Sequence, residues 1–314
     1  MSLQVPPLDD NFPPIRFHDH ADEIAEVCNK YILEHWPFRD EKDRQNFLSI
    51  RVSYLASTVT PFAKSIPKTT LFCIFVSFFT LLDDFIDRGE VDVTNKGPAL
   101  LALLPPPYDH KGPIPGKKGV DLSYMMQDMW AQLRSLSSRE EYETVCNGIQ
   151  LFFKAQKNPT ITSVDEYLEA RRIQIGCTLI FPLMRVAMEV HPTIEEMSNP
   201  LVTQPEVLAG KAAVLLNDIC SWEREKAAKE SNNCIARVME WTERDEETSF
   251  KAVVDLNRQL EVDLWHACTR VVNSDLSYDA KAYGHSLAYM VGANAWFFKN
   301  STRYSDHIPE SEKM

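Results

Sequence analysis

The stretch Leu71-Phe72-Cys73-Ile74-Phe75-Val76-Ser77-Phe78-Phe79-Thr80-Leu81-Leu82-Asp83-Asp84-Phe85-Ile86-Asp87-Arg88 decides how this chain is read. An apolar run is followed at once by carboxylates at i, i+1 and i+4. Pro67 stands just before it, where a first helical turn tolerates proline. The pattern predicts one helix over roughly 68–88. On that helix Phe75, Phe79, Asp83 and Asp87 follow one another in four-residue steps, so they share a face. The face is aromatic first and acidic at its end. Acids at a helix C-terminus oppose the negative end of its dipole. Three together repel one another unless a cation sits among them; the alternative is a solvated helix end.

Outward from this stretch, the chain continues to read as helix. Residues 1–17 are polar and Pro-rich and are expected to form an irregular arm. A first helix is expected over Asp19–His35, with Ile24, Val27, Cys28, Tyr31 and Ile32 as its apolar face, and a second over Asp40–Ser57. The segment Pro105 to Gly119 holds too many Pro and Gly for helix or central strand and reads as a long surface loop. Beyond it, Ser138-Arg139-Glu140-Glu141 and Ser163-Val164-Asp165-Glu166 match the S-x-x-E capping box, and Thr203-Gln204-Pro205-Glu206 is similar. These signals start helices near 139–157, 164–190 and 204–228. Two more are expected over Asp245–Val272 and Asp279–Lys299. No run alternates with period two, and only 10 glycines are present, which disfavours turn-rich β architecture. The expected class is all-α. Composition does not change across the 105–119 loop, so a single domain over 18–314 is expected.

Composition narrows the function. A formal net charge of −12 disfavours binding to nucleic acid or to an anionic membrane surface. The Leu71–Leu82 run is short of the ~20 apolar residues that span a bilayer. The N-terminus carries neither a secretory nor a transit pattern. Seven cysteines, an odd number with no C-x-x-C pair, read as reduced thiols of a cytoplasmic protein.

A second stretch carries chemistry: Asn217-Asp218-Ile219-Cys220-Ser221-Trp222-Glu223-Arg224-Glu225. Asn217, Ser221 and Glu225 stack at i, i+4 and i+8 on one helix face. They offer an amide oxygen, a hydroxyl and a carboxylate, the hard oxygen donors that suit Mg²⁺ shared with a phosphate. Taken alone, a solvated polar face fits them equally well. Cys220 and Trp222 read as packing residues. Arg171-Arg172 lies mid-helix, and Arg303-Tyr304 ends the last helix. Arginine and a phenol donate to phosphate oxygens, although taken singly each arginine reads better as an ordinary surface or ion-paired residue.

Together these motifs resemble the class I terpene synthases. Asp83, Asp84 and Asp87 resemble the family's D-D-x-x-D motif. Asn217, Asp218, Ser221 and Glu225 resemble its N-D-x-x-S-x-x-x-E motif, with every liganding position intact. Arg224 stands where many members carry a basic residue. Gly176 resembles the glycine of the family's helix break, which places the diphosphate-sensing arginine at Arg172, with Arg171 the runner-up. Arg303-Tyr304 resembles the terminal R-Y pair, and Trp296 the aromatic before it. The motifs span most of the chain in the family's order, and the length suits the single-domain microbial and fungal type.

The resemblance implies the isoprenoid synthase α-helical bundle around a deep apolar pocket. It implies metal ligands at Asp83, Asp84, Asp87, Asn217, Ser221 and Glu225, holding three Mg²⁺ ions with the substrate diphosphate. Diphosphate donors would be Arg172, Arg224, Arg303 and Tyr304. Phe75, Phe79 and Trp296 would turn aromatic faces to a carbocation; Phe72, Phe75 and Phe79 each read equally as core packing, Trp296 less so. The implied reaction is cyclisation of a linear prenyl diphosphate, farnesyl diphosphate by family habit and geranylgeranyl diphosphate as the alternative. A chain-elongating prenyltransferase would need a second Asp-rich cluster, and no other D-D-x-x-D occurs. A non-catalytic isoprenoid-binding protein would have lost metal ligands, and none is missing. A monomer and a homodimer are both expected forms.

Overall fold

The computed structural model describes residues 15–87, 103–156, 161–229 and 231–305, excepting the side chains of Asp87 and Ser305. Residues 1–14 of the expected arm, and Arg88, lie outside the described residues; residues 15–17 have no regular structure. Among the described residues all regular structure is helical, with no strand. In chain order the α-helices are α1 (Ala21–His35), α2 (Glu41–Ile50), α3 (Leu55–Val59), α4 (Ile66–Asp87), α5 (Leu122–Leu136), α6 (Arg139–Ala155), α7 (Val164–Gln174) and α8 (Cys177–Met188). There follow α9 (Ile194–Ser198), α10 (Pro200–Ala228), α11 (Cys234–Thr242), α12 (Glu246–Val272), α13 (Tyr278–Leu287), α14 (Met290–Asn300) and α15 (Thr302–Ser305). The chain falls into two compact units, one made of Phe17–Asn158 with Gly176–Glu189, the other of Met1–Arg16, Pro159–Ile175 and Val190–Met314.

The first unit is built on α4. Leu71, Phe72, Cys73, Ile74, Phe75, Phe78, Leu81 and Leu82 are all buried, so the helix is enclosed on every side through its middle turns. By length and composition it could cross a membrane, but two-thirds of its most apolar window is buried inside the protein, as in a core helix. Phe75 meets Trp130 of α5 edge-to-face at 5.2 Å. The α5 apolar stripe, Met125, Met126, Met129, Trp130 and Leu133, is buried. Sequence patterning passed over this helix, whose stripe begins directly after the 105–119 loop. The loop itself is free of regular structure, with Gly116 and Gly119 at positive φ. Ser138 and Glu141 cap α6 reciprocally, as expected from the motif.

Helices α6 and α8 approach through Gly148. The Thr178 hydroxyl donates to the Gly148 carbonyl at 3.0 Å. A Cβ at Gly148 would lie 2.0 Å from the Thr178 carbonyl oxygen. Only glycine permits that approach.

Three expected helices are interrupted. The second ends at Ile50, because Arg51 takes a left-handed conformation at φ 58°; a 3₁₀ turn over Val52–Tyr54 and then α3 follow. The 164–190 helix is broken between α7 and α8 at Gly176, whose φ of 87° only glycine takes readily. The 279–299 helix divides at Ala288–Tyr289 into α13 and α14.

The second unit is built on α10. It starts earlier than expected, at Pro200, with the Asn199 side chain accepting from the Leu201 N–H at 2.9 Å. Thr203, the expected cap, is inside the helix instead. The core cluster joins Tyr167 and Leu168 of α7, Ala212, Val214, Leu215 and Trp222 of α10, Cys234, Ile235 and Val238 of α11, and Val253 and Leu260 of α12.

Candidate active site

In the first unit the site residues lie where α4 leaves the core. Phe72 and Phe75 are fully buried and Phe79 is half-buried. The structure thus separates the three: Phe72 and Phe75 are packing residues. One turn further on Asp83 is exposed and Asp84 half-buried. The side chain of Asp87 lies outside the described residues. The acid-bearing turn is fixed from behind by Trp36, whose ring meets Phe78 at 5.5 Å and Phe85 at 4.9 Å, both edge-to-face. Those two residues are seven apart and flank the same indole, so Phe85 aligns the turn that carries the aspartates.

Phe79 also touches Phe152 of α6, ring centroids 5.4 Å apart. Phe152 in turn lies against Gly176, where an added Cβ would sit 3.7 Å from the ring. A continuous contact therefore runs from the acidic helix to the glycine at the start of α8. Sequence reading missed Phe152; its signal was Leu151-Phe152-Phe153 at the end of a well-capped helix.

In the second unit, α10 brings Asn217, Ser221 and Glu225 onto one face. The Ser221 hydroxyl donates to the Asn217 carbonyl at 2.8 Å, which leaves its lone pairs for another partner. The Asn217 amide nitrogen donates to the Tyr304 hydroxyl at 3.2 Å. Tyr304 is buried, with its ring against Phe298 at 4.5 Å and Phe297 at 6.1 Å. Arg224 donates to Glu225 Oε1 at 3.3 Å, and its guanidinium lies 6.0 Å from the Tyr304 ring centre. Ser221 and Glu225 are almost completely buried. Asn217, Ser221, Arg224, Glu225 and Tyr304 thus converge within this unit. The half-buried Arg303 precedes Tyr304, and half-buried Trp296 lies on α14.

Asp218 faces the other way, into the core. It is fully buried, and its Oδ2 accepts from the Tyr167 hydroxyl at 2.7 Å and the Cys234 N–H at 2.8 Å. Burial pushes its carboxyl up to about 7, against the lowering effect of the Arg171 charge and of those two donors. Arg171 thus acts on the interior of this unit. Arg172 pairs with Glu169 at 2.7 Å, and Glu169 also accepts from Lys211 at 2.9 Å. Neighbouring arginines on α7 therefore serve different surroundings, as expected for residues about 100° apart on a helix.

Buried Asn233 was not singled out from sequence. Its amide nitrogen donates to Glu225 Oε2 at 2.9 Å and to the Asp218 carbonyl at 2.8 Å, and its Oδ1 accepts from the Ile235 N–H at 2.8 Å. An Asn just before an apolar helical segment is an N-cap signal, but nothing in the spacing ties it to Glu225.

As a metal-binding group, the Asn217–Ser221–Glu225 set supplies three hard oxygen donors, one of them an anionic carboxylate. Among the described residues no cluster of three His, Cys, Asp or Glu occurs, so an oxygen set completed by an amide and a hydroxyl is what this unit offers. Such a set of oxygen donors fits a hard divalent cation.

The all-helical structure of the described residues is that of the class I terpene synthases, the class the comparisons show. The family described as terpene synthase family 2, C-terminal metal binding, matches residues 75–263. Aristolochene synthase of Aspergillus terreus is 24% identical, covering 97% of this chain and 95% of that protein. Sesquiterpene synthase 1 of Postia placenta is also 24% identical, over 93% of this chain and 86% of its own length. The crystal structure of aristolochene synthase from Penicillium roqueforti superposes with a TM-score of 0.75 at 22% identity, covering 94% of this chain and 99% of that one. The chain belongs to terpene synthase family 2, and it is a terpene cyclase with the isoprenoid synthase α fold. Enzymes of this class bind prenyl diphosphates and cyclise them, and the metal-binding family domain implies use of a divalent metal.

Proposed function

We propose that this enzyme ionises farnesyl diphosphate and cyclises the resulting cation to a sesquiterpene hydrocarbon or alcohol, releasing diphosphate, with three Mg²⁺ ions as cofactor. The observation that carries the reading is the convergence of Asn217, Ser221, Glu225, Arg224 and Tyr304: oxygen donors for a hard cation beside N–H and O–H donors for an anion. The choice of a sesquiterpene rests on relatives whose names are aristolochene synthase and sesquiterpene synthase.

Asp83, Asp84 and Asp87 on α4, and Asn217, Ser221 and Glu225 on α10, are the proposed metal ligands. Bound Mg²⁺ would supply Lewis-acid stabilisation of the leaving diphosphate. Arg172, Arg224 and Arg303 donate N–H bonds to its oxygens and Tyr304 donates its hydroxyl, and these bonds strengthen as the C–O bond breaks and its electron pair leaves with the diphosphate. For this, Arg172 exchanges its Glu169 partner and Arg224 its Glu225 partner for the anion. The allylic cation is attacked by an internal alkene, and the final cation either loses a proton to the released diphosphate or takes up water, whose extra proton passes to the same diphosphate. Phe79 and Trp296 offer ring faces to the migrating charge. Residues 18–314 act as one catalytic domain behind an arm of residues 1–17, in the cytoplasm, as a monomer or homodimer.

The test uses Asp83→Ala and Asn217→Ala. Each is expected to lower turnover by orders of magnitude while the far-ultraviolet circular dichroism stays that of the parent. Parent-like turnover in either variant refutes that residue's assignment as a ligand.

A further inference from the structure

We infer that Asn233 is a positioning residue for the Glu225 carboxylate: it turns one oxygen inward and leaves the other to a cation. The inference rests on Glu225 being a metal ligand, as proposed above.

Asn233 is entirely buried, and three hydrogen bonds direct its amide. Its Oδ1 caps α11 by accepting from the Ile235 N–H at 2.8 Å. That bond fixes which end of the amide is oxygen, because the backbone N–H needs an acceptor. The Nδ2 end must then face Glu225 Oε2 at 2.9 Å and the Asp218 carbonyl at 2.8 Å, both of which are acceptors. The network closes in one orientation of the amide.

The consequence falls on Glu225. Its Oε2 is held by a buried neutral donor that has nowhere else to turn. Its Oε1 meets Arg224, whose side chain is 36% exposed and reaches it at the longer distance of 3.3 Å. The two oxygens are therefore unequal: Oε2 is anchored, and Oε1 is the one whose partner can be exchanged. Outer hydrogen bonds of this kind orient a liganding carboxylate and tune its basicity, and their loss costs metal affinity. Asn233 also bonds the backbone carbonyl of Asp218, the residue after Asn217, so one amide ties the Glu225 carboxylate to the α10 backbone two turns earlier. Its capping role alone would be met equally by serine or threonine. The geometry assigns Asn233 a second task that only a donor of its reach performs.

The experiment titrates the full-length protein with Mn²⁺ in the presence of saturating inorganic diphosphate, with free Mn²⁺ read by electron paramagnetic resonance. Asn233→Ser keeps the cap but loses the amide N–H donors, its shorter hydroxyl falling short of Glu225; Asn233→Thr does the same, fills more of the space, and is the variant used if the serine form does not accumulate folded. Tyr167→Phe is the structural control: it removes a hydroxyl whose proton is shared between buried Asp218 and the part-buried Asn232 carbonyl, without touching Glu225. Either Asn233 variant is expected to raise the Mn²⁺ dissociation constant about ten- to a hundredfold, with Tyr167→Phe near the parent. The Mg²⁺ needed for half-maximal turnover is expected to rise by the same factor, with most of kcat regained at saturating Mg²⁺. Glu225→Gln separates the two ideas. If Glu225→Gln loses Mn²⁺ binding while folded Asn233→Ser binds like the parent, the positioning role is refuted and the ligand assignment stands. If Glu225→Gln itself binds like the parent, the ligand assignment falls and the inference falls with it.

Discussion

Gly148→Ala sets two physical effects of opposite sign against each other. Gly148 lies inside α6, where alanine is worth about 1 kcal/mol over glycine by helix propensity alone. Packing says the reverse. The new Cβ would stand 2.0 Å from the Thr178 carbonyl oxygen, 2.8 Å from the Thr178 carbonyl carbon and 3.2 Å from the Leu179 Cα. All three are backbone atoms, so no side chain can rotate away. Reaching ordinary contact means parting α6 and α8 by roughly 1.4 Å, which stretches the Thr178–Gly148 hydrogen bond and opens the adjoining packing. A gap of 0.5–1 Å already forfeits roughly a quarter to a half of each dispersion contact it crosses. Overpacking that forces backbone shifts costs about 1–3 kcal/mol and occasionally more. Because the clash is with backbone, the upper end applies, and the net destabilisation after the propensity gain is about 2 kcal/mol. Urea unfolding followed by circular dichroism should show the midpoint lowered with the slope unchanged. A variant as stable as the parent, or more so, would mean that α6 and α8 do not approach at Gly148, and would refute the account of this unit's packing.

Arg171→Ala and Arg172→Ala should separate by phenotype. Arg171 offsets the burial of Asp218, so its loss is expected to lower the unfolding midpoint; Arg172 sits in a partly exposed pair with Glu169, worth at most about 1 kcal/mol, and its loss is expected to weaken diphosphate binding in calorimetry. Exchanged phenotypes would move the diphosphate-sensing role to Arg171. Glu261→Gln tests a pH dependence. Burial lifts the Glu261 carboxyl above its ordinary value of 4.5, against Arg258 and the Asn257 amide. The folded state therefore keeps this proton where the unfolded chain has lost it, and that contribution is fully present below the unfolded value and lost as pH rises through the folded one. The parent's stability relative to Glu261→Gln should fall over that interval in denaturation at stepped pH, and parallel curves would refute the shift.

How much of this was legible in the sequence depended on whether the signal was local. The α4 helix announced itself through Pro67 and the Leu71–Leu82 run, and α6 through the Ser138–Glu141 cap, because a helix start is written within four residues. The breaks at Arg51 and at Ala288–Tyr289 were not legible, since neither carries glycine or proline; Arg51 takes φ 58° without either. Gly176 gave its break away only through the resemblance to a known motif. The Asn199-Pro200 start of α10 was readable by the N-cap and N1 preferences, but Thr203-Gln204-Pro205-Glu206 offered a competing signal three residues on.

The site divides the same way. The Asn217–Ser221–Glu225 face follows from helical spacing alone, and α10 carries it. Which of Phe72, Phe75 and Phe79 leaves the core, and which of Arg171 and Arg172 faces Asp218, turns on neighbours far along the chain. Asn233 and Phe152 carried only local signals, an N-cap and an aromatic pair; the contact through which each acts is encoded by no sequence interval.

The central claim is tested most directly by incubating the purified protein with geranyl, farnesyl and geranylgeranyl diphosphates, with and without Mg²⁺, and analysing the extracts by gas chromatography–mass spectrometry. The account predicts a cyclic sesquiterpene from farnesyl diphosphate that appears only with Mg²⁺. A cyclic product from geranylgeranyl diphosphate alone would contradict the assigned substrate, and no cyclic product from any of the three would contradict the proposed activity itself.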